Sequence, residues 1–225
     1  MFRVSDGFVG GGNIGRAKKI DTLFALVVYN DVGADSAIKE QKMKKVSLLG
    51  DSIRLFGYGP LVPGLLGADY TVFQPQENCK FAKFTLRGMY DWKAELETSD
   101  VIHFNCGLWD VCDVVGDGKL FSSDEEYAEN ILRIARRLLS FTPNVIFATT
   151  TPVNPSNPTT TNADIDRFNS LVVPKLREMG VRINDLNSLV REDIEGNICD
   201  DLIHLTPLGA ERCAAQVVSE IKKVI

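Results

Sequence analysis

Histidine is scarce in this chain: two in 225 residues, His103 and His204. Any reaction that needs an imidazole base must draw on one of these two, and a histidine-rich metal centre is excluded. Cysteine is thin and unpatterned. The five, Cys79, Cys106, Cys112, Cys199 and Cys213, are odd in number and form no Cys-x-x-Cys pair. Neither a disulfide framework nor a zinc cluster is expected from them, and free thiols in a reducing, cytoplasmic compartment are. No run approaches the ~18 uninterrupted apolar residues of a membrane span. The longest apolar stretch near the N-terminus, residues 23–29, is too short for the core of a secretion signal with its flanks. Positive charge is in deficit, with 25 Lys and Arg against 30 Asp and Glu and a formal charge of −5. That balance removes the electrostatic reason to expect a nucleic acid partner.

What is present is an ordinary globular balance, 44% hydrophobic and 24% charged. A chain of this length forms about one domain and buries a core that needs no disulfide or metal staple. Its first 42 residues differ in texture. They run through Gly10-Gly11-Gly12 to a polar stretch at residues 33–42. Met43-Lys44-Lys45-Val46-Ser47-Leu48-Leu49-Gly50 then reads as the start of an α/β domain. Residues 1–42 are expected to be a poorly packed extension, and residues 43–225 the folded domain.

Within that domain short apolar runs alternate with helical periodicity. Residues 46–49, 101–104 and 145–149 read as strands covered on both faces. Ser123-Asp124-Glu125-Glu126 is a capping box before Tyr127, Ile131, Ile134 and Leu138 at helical spacing. The acidic start of that helix reads as a solvated face. Thr161 or Asn162 caps the next helix, with a kink expected at Pro174 and an end at Gly180. Thr206 before Pro207 opens the last one. The alternation predicts a parallel sheet with helices on both faces and a site at the carboxyl ends of the strands. Phe84, Tyr90 and Trp92 read as core aromatics.

Gly10-Gly11-Gly12-Asn13-Ile14-Gly15 matches the dinucleotide fingerprint Gly-x-Gly-x-x-Gly, but its context is wrong. No strand precedes it, and fewer than two helical turns follow it before the β-like run at residues 23–29. It reads as a glycine-rich loop. Gly50-Asp51-Ser52-Ile53 is better placed, at the end of the first buried strand where a helix begins. There Ser52 is either a helix cap or a nucleophile whose own N–H stabilises developing negative charge. Asp201-Leu202-Ile203-His204 stands just before the last helix, and a spacing of three lets the carboxylate orient the imidazole. Asp200 is the lesser candidate for that role. His103 sits inside a strand and reads as a packed residue.

Gly50-Asp51-Ser52-Ile53, with Ile for the usual Leu, and Asp201-x-x-His204 resemble the first and last sequence blocks of the SGNH, or GDSL, hydrolases. Thr149-Thr150-Thr151-Pro152-Val153 resembles the family's fourth strand and following loop. The resemblance covers residues 45–225. It implies a flavodoxin-like three-layer α/β/α sandwich with Ser52 as nucleophile, His204 as base and Asp201 as its orienter, and neither metal nor organic cofactor. The middle blocks depart from the pattern. The second block, which supplies a glycine N–H to the oxyanion hole, falls in Asn78-Cys79-Lys80-Phe81-Ala82-Lys83, which has no glycine. The donor is main chain, so the N–H of Ala82 or Lys83 is expected to serve, with Gly88 a more distant candidate. The third block, Gly-x-Asn-Asp, reads Gly107-Leu108-Trp109-Asp110. Asn105 is expected to supply the missing amide, and Asp51, Gly107 and Trp109 to line the substrate pocket.

The resemblance implies hydrolysis of carboxylic esters through an acyl-enzyme, with an acylated sugar or other small ester as substrate. A short acyl group such as acetyl is favoured because no long apolar lid segment is present. Two alternatives use the same fold: a non-catalytic ligand-binding domain, and an acyltransferase acting through the same serine. Oligomeric state is not readable from the sequence.

Overall fold

The computed structural model describes residues 42–225. The expected extension therefore lies almost wholly outside the described residues, as does the glycine-rich loop. Among the described residues five parallel strands form one sheet: β1 (Lys44–Leu49), β2 (Tyr70–Phe73), β3 (Val101–Asn105), β4 (Val145–Ala148) and β5 (Arg182–Asn184), in the order β2-β1-β3-β4-β5. This is the flavodoxin-like order. The central strands are largely apolar because helices cover both faces. Every residue of β3 and β4 is buried, as are the last four of β1.

Between β1 and β2 lie a helical turn at Ile53–Tyr58 and the short α1 (Val62–Leu66). The chain continues through α2 (Ala82–Asp91) and α3 (Lys93–Leu96) to β3, through α4 (Asp124–Leu139) to β4, and through α5 (Asn162–Glu178) to β5. It ends in α6 (Leu186–Arg191), α7 (Ile194–Asn197) and α8 (Pro207–Lys222). Helices α2, α4 and α5 neighbour one another in one layer, and α1, the Ile53–Tyr58 turn, α6 and α8 in the other. Together with the sheet they make the three-layer sandwich that the alternation implies.

Local chemistry sets the boundaries. Ser123 accepts the Glu126 N–H at 3.2 Å, Thr161 the Asp164 N–H at 3.1 Å and Thr206 the Gly209 N–H at 3.0 Å. Each such cap is worth about 1 kcal/mol. Gly180, at φ 85°, ends α5 as expected. α5 runs from Asn162 to Glu178 with Pro174 inside it. Pro174 and Ser170, four residues before it, both lie on the exposed face. Trp92 is buried and Phe84 half-buried, but Tyr90 is 80% exposed, on the outer side of α2. His103 is fully buried in β3, as a packed residue should be. Its ring meets Tyr58 edge-on at 5.7 Å, and its Nε2 lies 3.1 Å from Asn184 Nδ2. Burial lowers its pKa to about 3, so it is neutral. All five cysteines are free thiols.

Candidate active site

The chain leaves β1 for β2 on one side and crosses back to β3 on the other, so the order reverses between β1 and β3. Ligand sites of doubly wound sheets form at such a reversal, beyond the carboxyl ends of the strands. Gly50-Asp51-Ser52 stands there at the end of β1, and Asn105 is the last residue of β3.

Ser52 opens the Ile53–Tyr58 turn with φ −62° and ψ −27°, yet its hydroxyl makes no capping bond. Asp51 caps instead, its Oδ1 accepting the Ile53 N–H at 3.0 Å. The reading of Ser52 as a helix cap therefore fails, and its hydroxyl is left for other work. Across the cleft Asp201 and His204 share a tight loop. The ring Nδ1 of His204 lies 2.7 Å from Asp201 Oδ2, while Asp201 Oδ1 accepts the backbone N–H of His204 at 2.9 Å and of Ile203 at 3.1 Å. Leu202 takes φ 70° to make this turn, a strained value for a residue with a branched side chain. Its carbonyl accepts the Asn154 N–H at 3.0 Å, and the Cys199 N–H donates to His204 O at 2.7 Å. Burial pushes the Asp201 pKa up, but the hydrogen bonds from His204 and Ile203 outweigh it and leave the carboxyl below its usual range.

Ser52 and His204 line one cavity of about 300 Å³, walled by Leu108, Trp109, Val114 and Ile203. Of the three residues expected to line it, Trp109 does. Asp51 is buried beneath the turn, where its Oδ1 is held by Ile53 and Asn105. Gly107 faces the interior: a Cβ there would stand 2.2 Å from Thr150 Oγ1 and 3.1 Å from the Tyr127 hydroxyl. Its role is close packing of the loop after β3, and neither it nor Asp51 lines the cavity.

The Ala82 N–H is not free for an oxyanion. It donates to both oxygens of Asp110, at 3.0 and 3.3 Å. Asp110 is a buried staple that also accepts the Ser122 hydroxyl at 2.8 Å and the Cys106 thiol at 3.6 Å. Burial pushes its pKa up to about 6 against these hydrogen bonds. The tie was hidden in sequence because Ala82 and Asp110 are far apart along the chain. In the same loop Lys80 holds φ 48°, the left-handed conformation for which glycine is the usual choice. Asn105 lies at the carboxyl edge of β3 as expected, but its amide is engaged: Nδ2 donates to Asp51 Oδ1 at 2.8 Å, and Oδ1 accepts from the Tyr58 hydroxyl at 2.6 Å. Sequence reasoning missed Tyr58, and also the loop of Cys112, Asp113 and Val114 that rims the cavity. The signal for that loop was Asp113 before two glycines. Its carboxylate accepts the N–H groups of Gly116, Asp117 and Gly118. Among the described residues no cluster of His, Cys, Asp and Glu is arranged to hold a metal ion, and no helix is long and apolar enough to cross a membrane.

No family model and no curated protein matches the sequence. Solved structures match the fold. A lipase/acylhydrolase from Enterococcus faecalis aligns over 80% of this chain and 96% of its own, with a TM-score of 0.69 and 19% identity. The acetyl xylan esterase AlAXEase aligns over 79% and 99%, with a TM-score of 0.66 and 18% identity. TesA aligns over 81% and 100%, with a TM-score of 0.66 and 16% identity. The chain thus has the three-layer α/β fold of the SGNH hydrolases, and its structural neighbours are esterases and acylhydrolases.

Proposed function

We propose that this protein hydrolyses carboxylic esters through an acyl-enzyme on Ser52. One observation carries the reading: a serine hydroxyl that caps no helix lines the same cavity as a histidine whose far nitrogen is held by a carboxylate. Ser52 Oγ attacks the ester carbonyl, and the developing negative charge gathers beside the Ser52 N–H at the start of the helical turn. His204 Nε2 takes the serine proton and then delivers it to the departing alkoxide, which leaves as the alcohol. Water, deprotonated by the same nitrogen, attacks the acyl-enzyme, releases the carboxylic acid and restores Ser52. Asp201, on Nδ1, keeps the proton-accepting lone pair on Nε2 and stabilises the imidazolium between the two transfers. The oxyanion is completed by the Asn105 amide. These steps call on no group beyond the chain's own side chains and water.

The substrate class follows from the cavity. Its walls are largely apolar, so they receive the acyl group, and the rim loop leaves the alcohol open to solvent. Structural neighbours that act as acetyl xylan esterases favour an acetylated sugar or other small ester. The room along Leu108, Trp109, Val114 and Ile203 also accepts acyl groups longer than acetyl. Turnover of nitrophenyl esters from acetate to octanoate, alongside acetylated xylo-oligosaccharides, tests both points. Hydrolysis of none of them, with no labelling of Ser52 by a phosphonate, would favour a binding domain. Labelling with acyl transfer to an added alcohol in preference to water would make the protein a transferase.

A further inference from the structure

We infer that Tyr58 is a positioning residue of this site: its hydroxyl fixes the Asn105 amide, and through it the Asp51–Ile53 turn that carries Ser52. The inference rests on the reading of Ser52 as nucleophile and goes beyond it to a residue that touches no substrate.

The local backbone is unusual. From Ile53 to Tyr58 the chain winds as a wide helical turn, in which the Gly59 N–H donates to Arg54 O, five residues back, at 2.9 Å. The turn breaks at Gly57, with φ −93° and ψ −106°. Wide turns of this kind have poorer hydrogen-bond geometry than an α-helix and recur at functional sites. Here the break separates two aromatics one residue apart from it on either side. Phe56 is 73% exposed, whereas Tyr58 is wholly buried. The space at Gly57 is also used, because a Cβ there would come within 3.1 Å of Leu205, the residue after His204.

What the break delivers is a phenol hydroxyl under the end of β3. Tyr58 donates to Asn105 Oδ1 at 2.6 Å, Asn105 Nδ2 donates to Asp51 Oδ1 at 2.8 Å, and the same oxygen accepts the Ile53 N–H at 3.0 Å. Only one orientation of the amide satisfies this chain. Flipped, its oxygen would face the Asp51 carboxylate and its NH2 would face the phenol, leaving buried groups without partners. The amide can lie here only because Gly50 has no side chain: a Cβ there would stand 2.1 Å from Asn105 Oδ1. The phenol ring also packs against the His103 ring in a T-shaped contact, centroids 5.7 Å apart. Burial pushes the Tyr58 pKa well above that of an ordinary phenol, so the hydroxyl remains a donor throughout the working pH range.

A merely packed tyrosine would act independently of Asn105, and that difference gives the test. Steady-state kinetics on a nitrophenyl ester, with thermal melting, are measured for the wild type, Tyr58→Phe, Asn105→Ala, the double variant and Ser52→Ala. Tyr58→Phe removes one oxygen and should lower kcat about tenfold, the loss expected from one buried hydrogen bond, with KM within about twofold. In the Asn105→Ala background the same change should cost nothing further, because its only route is gone. Wild-type kcat in Tyr58→Phe, or an equal fall in both backgrounds, overturns the inference. If Tyr58→Phe alone does not fold, the double variant, which lacks the orphaned acceptor, is compared with Asn105→Ala: equal kcat supports the inference and a further fall overturns it. Undiminished turnover by Ser52→Ala would instead overturn the reading of the nucleophile, a separate outcome.

Discussion

Asp201 holds His204 at two points, the ring through Nδ1 at 2.7 Å and the backbone through its N–H at 2.9 Å. A carboxylate that grips both fixes where the imidazole sits and which nitrogen faces the cavity. Ser52→Ala and His204→Ala should each lower ester turnover by several orders of magnitude, and the double variant by little more, since the two act as a unit. Asp201→Asn should cost less than the roughly 10⁴-fold fall that follows loss of a buried triad carboxylate, because the Asp201 side chain is half-exposed. His103→Gln, in the middle of β3 and outside the cavity lining, should keep most of the activity at temperatures where it is folded. Steady-state kinetics at matched stability check this. A loss in His103→Gln equal to that in His204→Ala would reassign the base.

The third block, Gly107-Leu108-Trp109-Asp110, departs most from the pattern that the chain resembles. Trp109 stands where the resemblance to the SGNH hydrolases expects asparagine, and it lines the cavity, while Asn105 is buried at the end of β3 with one amide hydrogen given to Asp51. Asn105→Ala should lower kcat about 10²-fold with little change in KM, the signature of a contact made mainly in the transition state. Trp109→Phe, which removes the indole N–H and trims the wall, should be mild on acetate esters and felt more on longer acyl groups. The reverse ranking in kcat would move the oxyanion role to Trp109.

Two buried titrating groups should pull stability in opposite directions with pH. Burial lowers the His103 pKa to about 3, so between pH 6.5 and 3 the unfolded chain binds a proton there that the native state refuses. Stability from this group is complete above pH 6.5 and is lost as pH falls, by about 1.4 kcal/mol per unit. Asp110 is raised to about 6, so between pH 3.8 and 6 the native state keeps a proton that the unfolded chain releases. On its account stability falls as pH rises through that window. Melting curves from pH 3.5 to 7.5 should therefore show a shallower acid loss in His103→Gln than in the wild type, and a steeper one in Asp110→Asn. Asp110→Asn should also be less stable at pH 7, because an amide cannot accept all three donors from Ala82, Ser122 and Cys106. Parallel curves for His103→Gln and the wild type would show that His103 does not titrate in this way.

The layers and the ends of the site were legible because their signals are local. Apolar runs of four or five residues mark strands covered on both faces, and Thr206-Pro207 announces α8. Asp201 and His204 lie within one turn, so their pairing needs no long-range fold. The middle of the site was not legible, because its partners are brought together by the sheet. Ala82 meets Asp110 across 28 residues, and Tyr58 meets Asn105 across 47. Nothing near Ala82 in sequence tells that its N–H is spent, and nothing near Tyr58 tells that a broken turn drives it inward. The helix through Pro174 was legible for the same local reason: its Thr161 cap and Gly180 end are short-range signals, and they bound α5 as expected.

The boundary at Met43 makes the last prediction. β1 begins at Lys44, whose N–H donates to Asp69 O at 2.9 Å, and Lys45 bonds Asp100 through its backbone at 2.8 Å and Glu95 through its ammonium at 2.5 Å. β1 is flanked by β2 and β3, so its pairing is complete within residues 43–225. Among the described residues, the buried cluster that holds the sheet to both helix layers begins at Val46. Every residue named in the proposed reaction lies in the same span. A chain beginning at Met43 should therefore unfold in one cooperative transition and turn over esters with a kcat and KM close to those of the full chain. Calorimetry of the two chains side by side, with kinetics on one nitrophenyl ester, decides the matter. Loss of the cooperative transition in the shorter chain would place residues 1–42 in the fold. A retained transition with a raised KM would place them at the substrate.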